Sequence, residues 1–442
     1  MRKKLEGDRS NLHFRFGKNI LSFGYVQVVT IAIQLALVPF FLMHWGTEYY
    51  AEWLVISGIP QLLVFLDAGI SLATGNRATM FASNNEPDRA LICLHTGTTI
   101  TLSICFLMFT LACYQYYFLD WQSLLNLNKI DANEANIIIN LMLGYLCCNL
   151  LSGPLSAWFR TLDRTATGTF LIANKRALDI LVSIVVLSLN ERAEILAGAL
   201  FVGQLVANAI ILVYLTKISP WSIINLKNTT KSEFKQVWSP ALAGTGIPIA
   251  QTITLQGGIQ VLNLLGSQHE VIVVYSMVRT LVRLIIQIGI TLTNALIPEI
   301  ARRTESSSAI KIKNFVSQVS LSAIIVSIVL YIGLIIAGPR IIEIWSQGNI
   351  YASGWTFAIL GIHTIINIAW YIPSSLLMAT NQHMKISLLY AVSSALALAA
   401  WITVGTKIDI IVGAGLLLAI PEIILLIFTI NKQLVYSSTE VV

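Results

Sequence analysis

The sequence Gly69-Ile70-Ser71-Leu72 occurs a second time as Gly289-Ile290-Thr291-Leu292, about 220 residues later, which is half the length of the chain. Two further residues recur with nearly the same displacement: Gly46 as Gly266, and Pro154 as Pro373. Each of these positions lies beside a long apolar stretch. Repetition at half the chain length predicts a membrane protein built as two parallel copies, with a path for a transported molecule between the halves.

The composition is that of a membrane protein. Of the 442 residues, 56% are hydrophobic and 11% are charged, whereas soluble domains carry roughly a quarter charged residues. A helix that crosses a bilayer needs about 20 apolar residues. Stretches of this kind predict twelve spans, at residues 19–43, 53–73, 90–113, 135–159, 171–189, 194–215, 238–263, 271–297, 314–337, 353–379, 384–403 and 409–431. The least secure are span five, with Lys175, Arg176 and Asp179, and span eight, with Arg279 and Arg283.

Basic residues fall mainly on one side of these spans. If the N-terminus is cytoplasmic, the opposite side keeps only Lys129, Arg192, Arg340 and Lys407. The positive-inside rule then places both termini in the cytoplasm, which requires an even number of spans. We therefore expect an all-α integral membrane protein with twelve transmembrane helices in two pseudo-symmetric six-helix bundles. The net charge of +6 is explained by loops that face anionic lipid and requires no nucleic acid.

The predicted organisation leaves no room for a soluble domain of ordinary size. It consists of a basic cytoplasmic N-terminal arm (1–18), an N-terminal six-helix bundle (19–215), a cytoplasmic linker (216–237), a C-terminal six-helix bundle (238–431) and a cytoplasmic tail (432–442). No glycine loop followed by Lys-Ser or Lys-Thr is present, which argues against a fused ATPase. The six histidines are scattered singly, so we expect neither a metal site nor a cofactor.

Arg279 and Arg283 are the first candidates for a substrate-binding site. They stand four residues apart in span eight, so on a helix they share one face. An unpaired arginine inside the membrane costs at least a few kcal/mol, so both must face protein or a water-filled cavity. They could form an anion-binding wall of a central lumen, or a structural ion pair with Asp67 or Glu422. We favour the lumen, because neighbouring arginines repel each other and structural pairing needs only one.

Three carboxylates within predicted spans are candidates for proton coupling or ion pairing: Asp67, Asp179 and Glu422. Burial raises the pKa of a carboxyl group and a nearby arginine lowers it, so each could exchange a proton during transport. Each could equally be the partner of a salt bridge. The plainest such pair is Lys175 with Asp179, at i,i+4 spacing.

Span seven contains the candidate gating residues Gly246, Pro248, Gly257 and Gly258. Broken backbone is tolerated in a span only against protein or a watery cavity, which favours a position for this span beside the transport path. The alternative is ordinary packing, since small residues also let helices approach closely.

Two segments carry a resemblance to a known family. Span two closes with Leu66-Asp67-Ala68-Gly69-Ile70-Ser71-Leu72-Ala73-Thr74-Gly75-Asn76. The second segment runs from Pro154 through Arg160-Thr161-Leu162-Asp163-Arg164, after span four. With twelve spans in two halves and a basic N-terminal arm, the chain resembles the polysaccharide flippases of the multidrug/oligosaccharidyl-lipid/polysaccharide exporter superfamily. The likeness covers nearly the whole chain, but its motifs say little about the transported molecule.

The resemblance implies a flippase of the bacterial inner membrane and not an enzyme. Its cargo would be undecaprenyl-diphosphate-linked oligosaccharide units, moved from the cytoplasmic to the periplasmic leaflet by alternating access, for O-antigen or related surface polysaccharide and hence for lipopolysaccharide biosynthesis. Membrane lipids, a polysaccharide polymerase and a chain-length regulator would be its partners. Two alternatives remain: a drug or metabolite exporter of the same fold, and a membrane-embedded glycan polymerase, which we rank third because no long periplasmic loop is present.

Overall fold

The computed structural model describes residues 35–66, 69–162, 164–189, 192–223, 229, 231–303, 309–379, 383–405 and 407–439. Within these residues the chain is helical and contains no strand, as the sequence predicts. The described residues divide into two compact units. One lies within Pro39–Val273, and the other is formed by the residues before Pro39 and after Val273. The predicted bundle boundaries, with a linker at 216–237, stay a prediction.

Eight described helices are long and apolar enough to cross a membrane. They are Pro87–Phe118, Ala132–Thr161, Ala193–Ile218, His269–Ile297, Lys313–Trp345, Gly354–Ala379, Met384–Val404 and Ile410–Asn431. These segments match predicted spans three, four, six and eight to twelve. Large apolar side chains such as Phe109, Val329 and Ile336 are exposed on them, as expected where lipid replaces water. The chain is a multi-pass membrane protein, while the total of twelve spans and the side of each terminus stay predictions.

The other predicted spans differ from continuous apolar helices for identifiable reasons. Span one begins outside the described residues. Helix α1 (35–61) ends one residue after Pro60, whose missing N–H weakens the last turn; a short 3₁₀ helix, Val64–Leu66, follows before α2 begins at Ile70. Span five is a helix of 24 residues, Thr165–Ser188, but its three charged residues lower its mean hydropathy.

The unit within Pro39–Val273 is organised around α2 and α3. After α1 its helices are α2 (Ile70–Ser83), α3 (Pro87–Phe118), α4 (Trp121–Leu124), α5 (Ala132–Leu150), α6 (Ser152–Thr161), α7 (Thr165–Ser188), α8 (Ala193–Ile218), α9 (Lys231–Gly244), α10 (Gly246–Thr252), a π-helix (Ile253–Gly257) and α11 (Gly258–Leu264). Helix α2 packs against α3, α6 and α9, while α5 packs against α8. At Gly97 of α3 an added Cβ would lie 2.4 Å from Oγ1 of Thr74, so this close approach of α2 and α3 requires glycine.

The second unit has α14 at its centre. Its helices are α12 (His269–Arg303), which enters it at Val274, α13 (Ala309–Trp345), α14 (Gly354–Ala379), α15 (Met384–Val404) and α16 (Ile410–Thr439). Helix α14 packs against α13 and α16, and α16 also packs against α15. The fully buried Phe357 and Trp370 of α14 contribute to this interior. Polar side chains at the interface of α14, α15 and α16 are therefore buried and need hydrogen-bond partners within the protein.

The sequence repeat is reproduced in local backbone geometry at some positions and not at others. Gly46 and Gly266 both have φ of +70°. Pro154 and Pro373 both lie within helices, α6 and α14. Gly69, however, precedes α2, whereas Gly289 lies inside the continuous α12. The copies diverge here because the first has a proline at position 60 and the second has a threonine at position 280.

Candidate functional site

Helix α12 carries a guanidinium group whose hydrogen-bonding capacity is incompletely used. The Cζ atom of Arg279 lies 5.4 Å from the ring centroid of Tyr275, a fully buried tyrosine one turn earlier. The Nη1 atom of Arg279 is buried without a hydrogen-bond partner among the described residues. A buried donor left in this state costs about 1–3 kcal/mol, and more when it is charged. Arg283, one turn later, interacts electrostatically with Tyr390 of α15.

Glu422 is enclosed by neutral hydrogen-bond donors. Its side chain, directly after Pro421 in α16, belongs to a residue only 3% exposed. Its Oε1 accepts a hydrogen bond of 2.6 Å from the hydroxyl of Tyr390. Its Oε2 accepts one of 3.0 Å from Nδ2 of Asn367, and another from Nε1 of Trp370. Glu422 forms no ion pair with any described basic residue, so the ion pair considered for it with the arginines of α12 is not formed.

Asp179 and Lys175 also lie inside a polar cluster, between α5, α6, α7 and α8. Asp179 accepts hydrogen bonds from the hydroxyl of Tyr145 at 2.8 Å and from Nε2 of Gln204 at 2.7 Å. The residue Lys175 is only 3% exposed. Its Nζ donates to oxygen atoms of neutral groups: Oδ1 of Asn208 at 2.8 Å, Oγ of Ser152, and the carbonyl oxygen of Cys148 at 3.4 Å. The direct ion pair predicted between Lys175 and Asp179 is therefore absent, because each side chain has other partners.

Span seven departs from a regular α-helix near the glycine and proline positions that the sequence singles out. Helix α9 ends at Gly244, α10 begins at Gly246 and holds Pro248 in its first turn. A π-helix then ends at Gly257, and Gly258 opens α11. π-Helical turns occur frequently at functional sites. The gating role of Gly246, Pro248, Gly257 and Gly258 stays a prediction. Asp67, a candidate for proton coupling or ion pairing, lies outside the described residues.

Side chains also tie span seven to α1. Gln256, inside the π-helix, donates from Nε2 to Oε1 of Gln61 at 2.6 Å. Gln260 donates to the carbonyl oxygen of Val55 at 2.8 Å. The π-helix and α11 are thus hydrogen-bonded to the last two turns of α1. Sequence reasoning did not find these two glutamines, although polar residues inside an apolar stretch were a usable signal.

The structure brings together the two segments that carry the family resemblance. Nη2 of Arg160 donates to the carbonyl oxygen of Ser71 at 3.2 Å, and Nη1 donates to Oδ1 of Asn76 at 3.4 Å. At Gly75 an added Cβ would lie 2.3 Å from Nη2 of Arg160, so the guanidinium would have to move if a larger residue replaced this glycine. Residue spacing alone gives no sign of this contact, because the two segments are far apart in the chain.

Neutral residues of the two carboxylate clusters were missed at the sequence level. They are Tyr145, Gln204 and Asn208 in one unit, and Asn367, Trp370 and Tyr390 in the other. A charged residue inside a span is conspicuous, whereas its neutral partners resemble ordinary residues of a span. Among the described residues no group of three or more His, Cys, Asp and Glu side chains could hold a metal ion.

Comparison with solved structures identifies the fold. An inward-facing multidrug resistance MATE family transporter of the MOP superfamily matches with a TM-score of 0.75 and 11% identity, over 94% of this chain and 95% of that chain. The lipid II flippase MurJ, in an inward closed conformation, matches with a TM-score of 0.68 and 11% identity, over 93% and 87%. A MOP superfamily transporter from Pyrococcus furiosus matches with a TM-score of 0.59 and 12% identity, over 95% of both chains.

No protein-family model matches the sequence, and no curated protein matches it. At 11–12% identity the similarity to these structures concerns the fold. It extends over nearly the whole chain, as the sequence resemblance implied. The chain therefore has the fold that MOP superfamily transporters share with the lipid II flippase MurJ.

Proposed function

We propose that this protein is a flippase for undecaprenyl-diphosphate-linked oligosaccharide units. It moves them from the cytoplasmic to the periplasmic leaflet of a bacterial inner membrane by alternating access, for O-antigen or related surface polysaccharide. The observation that carries the proposal is the buried Nη1 of Arg279, which has no hydrogen-bond partner among the described residues although it lies within a membrane-spanning helix. A site of this kind is incomplete until an anion supplies the missing acceptor.

The chemistry of the arginine pair favours a phosphorylated cargo. A guanidinium group presents parallel N–H donors that match two oxygen atoms of a phosphate. Arg279 and Arg283 lie one turn apart on α12, and two linked phosphates carry enough oxygen atoms to engage both. A diphosphate also brings negative charge to these two guanidinium groups. The hydrogen bonds and the charge attraction both stabilise the bound cargo, and neither depends on which sugars it carries.

The fold supports movement of a lipid-linked molecule, since one similar structure is that of a lipid II flippase. The named similar structures are transporters and a flippase, which supports a non-enzymatic role. On this proposal the interrupted span seven, with Gly246, Pro248, Gly257 and Gly258, bends during the transport cycle. A polysaccharide polymerase and a chain-length regulator would act next on the flipped units.

A drug or metabolite exporter of the same fold is the second candidate. It is supported by similar structures that are multidrug transporters. The buried donor of Arg279 favours an anionic substrate over a cationic one, because a cation would face the guanidinium without compensation.

A deletion strain separates the two candidates. We expect it to accumulate lipid-linked repeat units on the cytoplasmic leaflet and to lose surface polysaccharide, with both defects reversed by the wild-type gene. Susceptibility to cationic dyes, measured on the same cells, should not change. Unchanged surface polysaccharide together with increased dye sensitivity would contradict the flippase proposal and support an exporter.

A further inference from the structure

In each unit one carboxylate lies where predicted membrane-spanning helices meet, and only one of these two, Asp179 and Glu422, has a cation beside it. In the unit within Pro39–Val273, Asp179 of α7 bonds to side chains of α5 and α8, and the ammonium group of Lys175 lies one turn away. In the other unit, Glu422 of α16 bonds to side chains of α14 and α15. No described basic residue forms an ion pair with it. Asp179 and Glu422 therefore differ in the charges around them.

Lys175 acts as a built-in cation for the first cluster. Its ammonium group has oxygen acceptors on Ser152, Asn208 and Cys148, which together use its donor capacity. Asp179 is close enough for Coulomb attraction by this ammonium. A nearby ammonium group favours the ionised form of a carboxyl group. Asp179 thus has a tethered positive charge beside it, which no described basic residue provides to Glu422 by an ion pair.

The surroundings of Glu422 can accommodate both of its protonation states. As a carboxylate, Glu422 accepts hydrogen bonds from Tyr390, Trp370 and Asn367. As a carboxylic acid, it must donate one hydrogen bond. The hydroxyl oxygen of Tyr390 can accept after its proton rotates away, and Oδ1 of Asn367 is a buried acceptor without a partner among the described residues. Glu422 itself is therefore hydrogen-bonded in both states.

The same donors argue for a proton and against a metal ion. Three N–H and O–H groups point at the carboxylate oxygens of Glu422, and a sodium ion bound there would face their hydrogen atoms. A metal ion prefers a shell of oxygen atoms. A proton needs one carboxylate oxygen and one acceptor, and both are present. The proton is thus the cation that the cluster fits.

We propose that Glu422 binds and releases one proton in each transport cycle, and that Lys175 takes the place of a mobile cation in the other unit. The proton comes from water on one side of the membrane and forms an O–H bond on the carboxylate; that bond breaks when the proton returns to water on the other side. This rests on the proposed transport function, to which it adds the source of energy.

Other charged and titratable groups around Glu422 also influence its protonation. From α14, Tyr371 faces it electrostatically, as does Tyr390 from α15. Arg283 of α12 interacts with Tyr390 and so feels the state of the cluster. Protonation of Glu422 changes its hydrogen bond with Tyr390, and Tyr390 interacts with Arg283. This gives protonation at α16 a route to one of the two arginines that we assign to the cargo.

Infrared spectroscopy of the purified, full-length protein tests the proton site without any cargo. The probe is the carbonyl stretch of a protonated carboxyl group, followed while the pH is changed and assigned by labelling glutamate with ¹³C. Among the titrating bands that shift with the label, we expect one that disappears in Glu422→Gln and persists in Asp179→Asn. A Lys175→Met variant should gain a further band, from Asp179, that does not shift. A wild-type protein without a titrating glutamate band that Glu422→Gln removes would overturn the proposal.

A cellular measurement ties the proton to transport. Surface polysaccharide in a deletion strain carrying Glu422→Gln, normalised to protein in the membrane, should fall at least tenfold. Near-normal polysaccharide would overturn the coupling even if the band titrates. A sodium-dependent shift of the band, at constant pH, would instead identify a metal-ion site and overturn the proton proposal. The spectra need no cargo. They can therefore show a proton site at Glu422 even if variants of Arg279 and Arg283 leave polysaccharide unchanged, so the proton proposal and the flippase proposal can be contradicted independently.

Discussion

Gly46 and Gly266 adopt the same left-handed backbone conformation, with φ of +70° at each position. The two residues are related by the sequence repeat. Gly266 lies in the turn between α11 and α12, and Gly46 lies within α1, where a left-handed residue departs from regular helical geometry. Glycine is the residue that adopts this conformation at no steric cost. The shared conformation is local structural support for the duplication, independent of any apolar pattern.

Alanine at Gly46 or Gly266 should destabilise the protein by a similar amount. An added Cβ meets nothing within 4 Å at either residue, so the cost is the backbone strain alone, about 1–2 kcal/mol. Gly333 is the matched control, since it lies in α13 with open space around it and no positive φ. Gly333→Ala should be neutral or slightly stabilising. Unfolding in detergent measures all three; equal effects at Gly46 and Gly333 would contradict the explanation.

The fold was predictable where apolar runs were long and uninterrupted. Arg279 and Arg283 leave α12 long and apolar enough to cross a membrane, because they share one face and are the only arginine or lysine residues within His269–Ile297. The break in span two was not predicted, although Pro60 was visible, because prolines also lie inside continuous helices such as α13 and α14. Whether a proline ends a helix depends on what satisfies the freed carbonyl group, and that is a tertiary property.

A second prediction concerns Glu52, which is buried although its side chain is a carboxyl group. Its carboxylate accepts backbone N–H bonds from Asn128, Lys129 and Ile130, at 2.7–3.0 Å. Glutamine at this position would turn an NH₂ group toward those donors and lose charge-assisted bonds worth about 1.5–3 kcal/mol each. Glu52→Gln should therefore lower the unfolding temperature clearly.

Glu48, one turn earlier on the same helix, is the control for this change. It is exposed and pairs with Lys129 at 2.9 Å, and exposed ion pairs contribute little. Glu48→Gln should leave the unfolding temperature nearly unchanged. Equal shifts for the two variants would mean that the backbone hydrogen bonds to Glu52 do not hold the 128–130 segment.

The predicted topology can be measured with reporter fusions along the chain. Fusions after Lys235 and Lys313 should report a cytoplasmic position, because basic residues cluster there. Fusions near Trp121 and Gly348 should report a periplasmic position. A cytoplasmic signal at either of the last two sites would rule out twelve spans with both termini in the cytoplasm.

Restoring a backbone donor in span seven should reduce transport without loss of protein. Pro248→Ala supplies the missing N–H in the first turn of α10 and favours a straighter, stiffer helix. We expect normal amounts of protein in the membrane and several-fold less surface polysaccharide. Pro339→Ala, inside the uninterrupted α13, is the matched substitution and should leave polysaccharide unchanged. Equal polysaccharide in both variants would leave the break in span seven without a role in gating.

The sequence revealed the charged residues of the candidate site but not their neutral partners. Arg279, Asp179 and Glu422 stood out because ionisable residues are rare inside spans. Their partners could not be predicted, since hydrogen bonds such as that from Tyr390 to Glu422 join different helices. The i,i+4 spacing of Lys175 and Asp179 even suggested a wrong partner, because neutral oxygen atoms on neighbouring helices compete successfully for the ammonium group.

The arginines of α12 provide the most direct test of the account. The measurement is surface polysaccharide made by a deletion strain that carries Arg279→Ala, Arg283→Ala or both, normalised to the amount of protein in the membrane. Loss of one charge-assisted contact costs about 1.5–3 kcal/mol, so each single variant should lower apparent affinity tenfold or more. Lysine should rescue in part, since it keeps the charge without the planar fork, and glutamate should be worse than alanine. We predict little polysaccharide from the double alanine variant at normal protein level; near-normal polysaccharide from that variant would contradict a phosphate-binding role for the pair.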